Sequence, residues 1–172
     1  MDKIIKALIL LGLFTVSCSE KTNYYDKNTN NIKFIIEKRI TIDLKNEKLY
    51  LNHFGLKYED TIIFTESEKN NIISFFNTYN LNDKRGEFWY IDENSTSASL
   101  HDEIIILRNN KIKLRYIINE YHSVDGSYFE NEETKIVKYR NLIKSIILNK
   151  DSYKRAEDSL RIFIKRKPVW LM

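Results

Sequence analysis

The chain has 172 residues but only one cysteine, one proline and four glycines. A single thiol, Cys18, admits no internal disulfide, so stability has to come from packing. The glycines stand alone at positions 12, 55, 86 and 126. Phosphate-cradling loops, dinucleotide-binding turns and the strained nucleophile elbow each need closely spaced glycines, and their lack excludes those nucleotide-dependent and α/β-hydrolase chemistries. The three histidines, His53, His101 and His122, lie far apart, and none belongs to a pair with metal-ligand spacing. No run of five like charges suggests a nucleic-acid or polybasic membrane site, and the 30% charged residues mix both signs to a net +4. Nothing in the sequence calls for a metal or a cofactor.

One long apolar run is present, at residues 7–16, and the cysteine sits at its exit. Asp2, Lys3 and Lys6 precede the run and the small residues Ser17 and Cys18 close it, which is the three-part layout of a secretory signal. About thirteen helical residues at roughly 1.5 Å each cover some 20 Å, against a hydrocarbon core of roughly 30 Å, so the run is too short to span a bilayer. The residues Thr15-Val16-Ser17-Cys18 resemble the lipobox of bacterial lipoproteins, with Thr15 standing where Leu is usual. The resemblance implies signal cleavage between Ser17 and Cys18, lipid attachment at Cys18, and anchoring in a bacterial envelope membrane, the outer favoured over the inner. Its rival is ordinary cleavage to a soluble periplasmic or secreted protein, since Thr15 and Ser17 are small enough for a general signal peptidase. Abundant Ile and Asn with scarce Ala and Gly also look like small lipoproteins of AT-rich genomes such as those of the Bacteroidota. Processing removes Asp2, Lys3 and Lys6 and takes the formal charge from +4 to +3.

Three segments follow from this reading: a signal peptide at 1–17, a lipidated Cys18 with a polar, Asn-rich tether at 18–31, and a single α+β domain at 32–172. The periodicity of the domain predicts a mainly antiparallel sheet of five or six strands with three helices packed on it. "KFIIEKRITIDL" reads as a strand, with Ile40, Ile42 and Leu44 alternating; "KLYLNHF" pairs with it through a turn at residues 45–47, and "DTIIFT" supplies another strand. Thr65 and Glu68 have capping-box spacing ahead of Ile72, Ile73, Phe75, Phe76 and Tyr79, the pattern of a helix. "EFWYI" reads as a strand, followed by a Ser/Thr-rich loop and a hairpin turning at Asn109 and Asn110. A second helix carries Ile136, Tyr139, Arg140, Ile143, Ile146 and Ile147. The third runs from Asp151 to about Lys165, supported by four-apart pairs of Asp151 with Arg155 and Glu157 with Arg161, and Pro168 ends it. The order of strand, hairpin and helix thus occurs twice.

Two groups of residues invite a functional reading. In "FWY", alternation sends Trp89 to one face of its strand and Phe88 and Tyr90 to the other, so an aromatic faces away from the helices; Tyr116, Tyr121, Tyr128 and Phe129 form a second aromatic group. Phe88, Trp89 and Tyr90 are the candidate binding residues, with stiffening of the sheet as their structural alternative. The second group is His101 with Asp102 and Glu103, joined by His122 and Asp125 beyond the hairpin and by Ser95, Ser97 and Ser99 before it. No orienting partner or oxyanion site accompanies it, and no catalytic residue is assigned. The expectation is a non-catalytic envelope module that recognises a protein partner and no nucleic acid. Alternatives are an immunity protein against a periplasm-acting toxin, a glycan-binding lipoprotein and, last, a hydrolase using His101 and nearby carboxylates.

Overall fold

The structure, a computed structural model, describes residues 31–81, 84–90, 100–119 and 131–166. Ser17, Cys18 and residues 19–30 lie outside the described residues, as do Ser95, Ser97, Ser99, Tyr121, His122, Asp125, Tyr128, Phe129 and Pro168, whereas Asn31, assigned to the tether from sequence, opens the first strand. Seven strands form one sheet: β1 (Asn31–Ile36), β2 (Ile40–Asp43), β3 (Lys48–His53), β4 (Leu56–Thr61), β5 (Gly86–Tyr90), β6 (His101–Arg108) and β7 (Lys111–Asn119). Helices α1 (Glu66–Thr78), α2 (Glu132–Leu148) and α3 (Asp151–Arg166) complete the described elements. The spatial order of the strands is β4-β3-β2-β1-β6-β7-β5. Every pairing is antiparallel except that of β5 with β7, which is parallel. The two strand–hairpin–helix halves are therefore unlike: β1 to β4 form a meander that ends at one edge, whereas β5 lies at the opposite edge with β7, not the next strand β6, as its neighbour.

Alternation along the strands sorts the sheet into two faces. Phe34, Ile36, Ile40, Ile42, Leu49, Leu51, Ile104, Ile106, Leu114, Tyr116 and Ile118 share the face covered by helices and are buried with Ile72, Phe76, Ile136, Val137, Tyr139, Ile143, Ile147, Ala156 and Leu160 in one core. Burial of so many Ile and Leu side chains, each contributing about 1.5–3 kcal/mol relative to exposure, is what holds a chain without disulfides. Because every described strand and helix lies between Asn31 and Arg166 and feeds this core, a chain starting at residue 19 carries every described element.

Seven strands stand where five or six were expected, because "KFIIEKRITIDL" is a hairpin and not one strand. Its turn places Glu37 and Lys38 at φ of 51° and 60°, a left-handed conformation that neither residue favours and that sequence inspection reads for Gly or Asn. Tertiary contacts hold it. The Glu37 amide donates to Oδ1 of buried Asp102 at 3.1 Å, and the Lys38 amide to the carbonyl of His101 at 3.2 Å. Phe54 and Gly55 make another such turn, with φ of 42° and 89°, so β4 begins at Leu56 and ends before most of "DTIIFT"; Ile62 and Phe64 are buried without belonging to a strand. The turn at Asn109 and Asn110, with φ of 52° and 59°, is where the sequence puts it.

The N-termini of α1 and α2 are capped by side chains. Thr65 caps α1 with both halves of the capping box formed, and the same Glu68 carboxylate accepts from Lys150 Nζ at 2.6 and 2.7 Å, tying this N-terminus to the junction of α2 and α3. Asn131 caps α2 through the Thr134 amide at 2.8 Å. Buried Arg140 fastens the same helix to the sheet by donating to the carbonyl of Asn119 at 2.8 Å. In α3 the four-apart pairs expected from sequence give way to other partners. Arg155 reaches Asp60 of β4 at 2.7 Å, Asp151 pairs with Lys154 three residues on, and Glu157 accepts from the Tyr153 hydroxyl at 2.7 Å.

Candidate functional site

The sheet face opposite the helices carries the polar chemistry. Register aligns Trp89 of β5 with Ile117 of β7, Glu103 of β6 and Ile35 of β1, and places Glu87, Arg115, Ile105 and Lys33 in the adjoining row. At the β5 edge of the sheet these rows form a connected cluster. Arg115 donates from Nε to Glu103 Oε2 at 2.9 Å and from a terminal nitrogen to Glu87 Oε2 at 3.1 Å, bridging two carboxylates on different strands. The other Glu87 oxygen accepts from Trp89 Nε1 at 2.8 Å, and the other Glu103 oxygen lies 3.0 Å from His101 Nε2. The circuit closes through an edge-to-face contact between the Trp89 and His101 rings, with centroids 6.2 Å apart.

Burial and charge grade this cluster from floor to surface. Glu103 is buried, Arg115 is half-buried, and Trp89 is 55% exposed. Partial burial pulls the Arg115 guanidinium down, but hydrogen bonds and charge from Glu103 and Glu87 outweigh it and hold the group above its ordinary value. The cation is therefore a fixed strut between the two carboxylates. An exposed Trp whose ring nitrogen is hydrogen-bonded and whose edge rests on His101 loses little further freedom when something covers it.

The residues singled out by sequence divide between the two faces. Trp89 lies on the open one. Phe88 and Tyr90 turn toward the helices, where their rings lie 5.7 and 6.2 Å from that of Tyr116, so the "FWY" triplet presents one binding aromatic and uses the other two in packing. Burial first, then the Glu133 charge, raises the Tyr90 hydroxyl above the ordinary tyrosine value. Alternation also splits the His101, Asp102 and Glu103 group. His101 and Glu103 join the Trp89 cluster, while Asp102 points to the helix side and accepts from Lys144 Nζ at 3.1 Å. Among the described residues no group of three His, Cys, Asp or Glu converges as a metal site, and no helix is long and apolar enough to cross a membrane.

Glu87 and Arg115 are the members that sequence reading missed. Their signal was parity: Glu87 is two residues from Trp89, and Arg115 continues the alternation of Lys111 and Lys113 against the apolar residues of β7. Which strand would lie beside β5 was needed to join them, and the parallel β5–β7 pairing is a tertiary fact. Comparison of the chain with protein families, with curated proteins and with solved structures finds no match.

Proposed function

We propose that the protein is a bacterial cell-envelope lipoprotein, lipid-anchored through Cys18 and most consistent with the outer membrane, whose folded part is a non-catalytic module that recognises a protein partner through the open face around Trp89. The observation that carries the binding reading is the half-exposed indole held by Glu87 and His101, which link it to the Arg115–Glu103 ion pair. Rigid aromatic and Arg anchors of this kind dominate protein interfaces, because they bury much apolar area at small entropic cost and carry hydrogen bonds to the rim. The anchor reading rests on the Thr15-Val16-Ser17-Cys18 motif at the exit of the apolar run. An immunity role against an imported toxin falls within the same class, as a case with one tight partner.

A glycan reading draws on the same cluster, since an exposed indole flanked by Glu87 and Arg115 is also suited to a sugar ring and its hydroxyls. The test is affinity capture from envelope extract with an immobilised chain spanning residues 19–172, run beside its Trp89→Ala variant and a glycan array. One stoichiometric protein retained by the first and lost by the second supports the protein reading, and its identity as toxin or resident subunit selects the role. Saccharide binding that depends on Trp89 replaces it with the glycan reading. Capture that is equal for both chains removes the site.

A further inference from the structure

A second surface lies at the end of the sheet where β6 turns into β7. Arg85, Arg108, Asn109, Lys111, Ile112 and Lys113 line an open groove of about 530 Å³ there. Four of the six are cations and none is an acid. Among the described residues, no ion pair engages Arg85, Arg108 or Lys111. Elsewhere on the molecule Lys33, Lys48, Lys69, Lys144, Lys150 and Arg155 each meet a carboxylate, whereas here Arg85, Arg108 and Lys111 gather in one groove without one among the described residues. In its midst Ile112 is 61% exposed. No local run of sequence encodes the patch: Arg85 precedes β5, and the parallel pairing of Gly86 with Leu114 brings it beside the start of β7.

The register also shows where the preceding thirty residues join the sheet. Asn31, the first residue of β1, pairs with Leu107, one residue before Arg108. The tether thus enters the domain at the basic end. Trp89 and His101 lie toward the other end of their strands, opposite Ile117 and Asn119. We infer that the basic hairpin end is a docking surface for an anionic phospholipid bilayer, with Arg85, Arg108 and Lys111 meeting headgroup phosphates and Ile112 entering the interface. This deepens the lipoprotein reading and rests on it for orientation: the thirteen residues leading from Cys18 to Asn31 reach at most about 45 Å at roughly 3.5 Å each, which keeps this end within reach of the headgroups. So placed, the domain turns its Trp89 end away from the membrane.

The experiment uses the chain of residues 19–172, which lacks both the apolar run and Cys18, and co-sedimentation with phosphatidylcholine vesicles with or without one third phosphatidylglycerol. Binding is expected only to the anionic vesicles and weakens as salt shortens the Debye length from about 10 Å at 0.1 M. Each cation near such a surface is worth about fivefold in affinity, so Arg108→Glu with Lys111→Glu loses at least tenfold, while Trp89→Ala binds like the parent. An unchanged circular dichroism melt shows that the charge-reversed chain is folded. Equal binding to neutral vesicles, no binding to either, indifference to the charge reversal, or retention only by a nucleic acid or acidic protein offered in parallel overturns the proposal. The anchor is read separately, by fatty-acid labelling of the full-length chain and of Cys18→Ala in cells. Labelling lost in Cys18→Ala supports the anchor, and failure of labelling with vesicle binding intact removes the anchor and the orientation but leaves the surface.

Discussion

Glu103 is the residue on which the open-face cluster hangs, since one carboxylate holds both His101 and Arg115. Glu103→Ala leaves the guanidinium with Glu87 alone. Removing one partner of a fully buried pair costs about 3–5 kcal/mol, but Arg115 keeps a third of its side chain in water, which brings the expected loss to about 1–2 kcal/mol. Urea unfolding measures it, and a loss below about 0.5 kcal/mol would show that the pair does little for the fold. Tyr116 makes the opposite case. Its ring is buried between Phe88 and Tyr90, and its hydroxyl has no hydrogen-bond partner among the described residues. Burial, with the charge of Tyr90 adding to it, pushes that hydroxyl far above the ordinary tyrosine value. Tyr116→Phe removes an uncompensated polar atom and is expected to leave stability unchanged or raise it by up to about 1 kcal/mol; a comparable loss in the same measurement would reveal a bond to the hydroxyl.

Among the elements, the β1–β2 hairpin and the start of α1 carry the clearest expectations. A non-glycine residue in left-handed backbone costs roughly 1–2 kcal/mol, and Glu37 and Lys38 both adopt it. Glu37→Asn with Lys38→Gly supplies the residue types this turn favours and is expected to stabilise by about 1 kcal/mol, raising the melting midpoint by roughly 3 °C for a domain of this size. Asp102→Ala acts in reverse, because it leaves the Glu37 amide and Lys144 without their acceptor; about 2 kcal/mol should be lost. At α1, Thr65→Ala removes the acceptor for the Glu68 amide and costs about 1 kcal/mol. A double-mutant cycle with Lys150→Ala is expected to be non-additive, since Glu68 serves the cap and Lys150 together. These devices differ in legibility. The capping box was readable from two residues three apart, whereas the Glu37-Lys38 turn depends on an aspartate 65 positions away.

Taken as a whole, the molecule spends its acids on holding elements together, and this fixes the sign of its pH dependence. Asp43 is pushed up by burial, but hydrogen bonds from Asn46 and Asn31 and the charge of Lys33 outweigh this and leave it below its ordinary 3.8. Glu47 and Glu68 are likewise raised by burial and more strongly lowered by Lys69 and the Phe64 amide, and by Lys150 and Thr65, to below 4.5. Depressed carboxylates bind fewer protons in the folded than in the unfolded chain, so their stabilisation is complete above the unfolded values and disappears as pH falls through the folded ones. His53, lowered by burial and by Arg39, adds a shallower slope of the same sign below 6.5. The thermal midpoint should therefore change little from neutrality to about pH 5 and drop steeply below about pH 4. Asp43→Asn should start lower at neutral pH and converge with the parent in acid; parallel curves would mean that Asp43 is not among the groups responsible.

Local composition and period determined the α+β class, the hairpin at Asn109 and Asn110, the Thr65 cap, the three helices and the separation of Trp89 from Phe88 and Tyr90, because each depends on residues within one or two turns of chain. They also carry the envelope reading, which rests on the first eighteen residues and the overall composition. Only the tertiary structure decided that β5 runs parallel beside β7, that Glu37 and Lys38 make a turn, that Glu87 and Arg115 flank Trp89, and that cations at 85, 108, 111 and 113 share one groove. The physical reason is common to all four. A strand specifies which side chains share its face but not which strand lies beside it, and an unfavourable turn or a surface charge acquires its meaning from atoms that are distant in sequence.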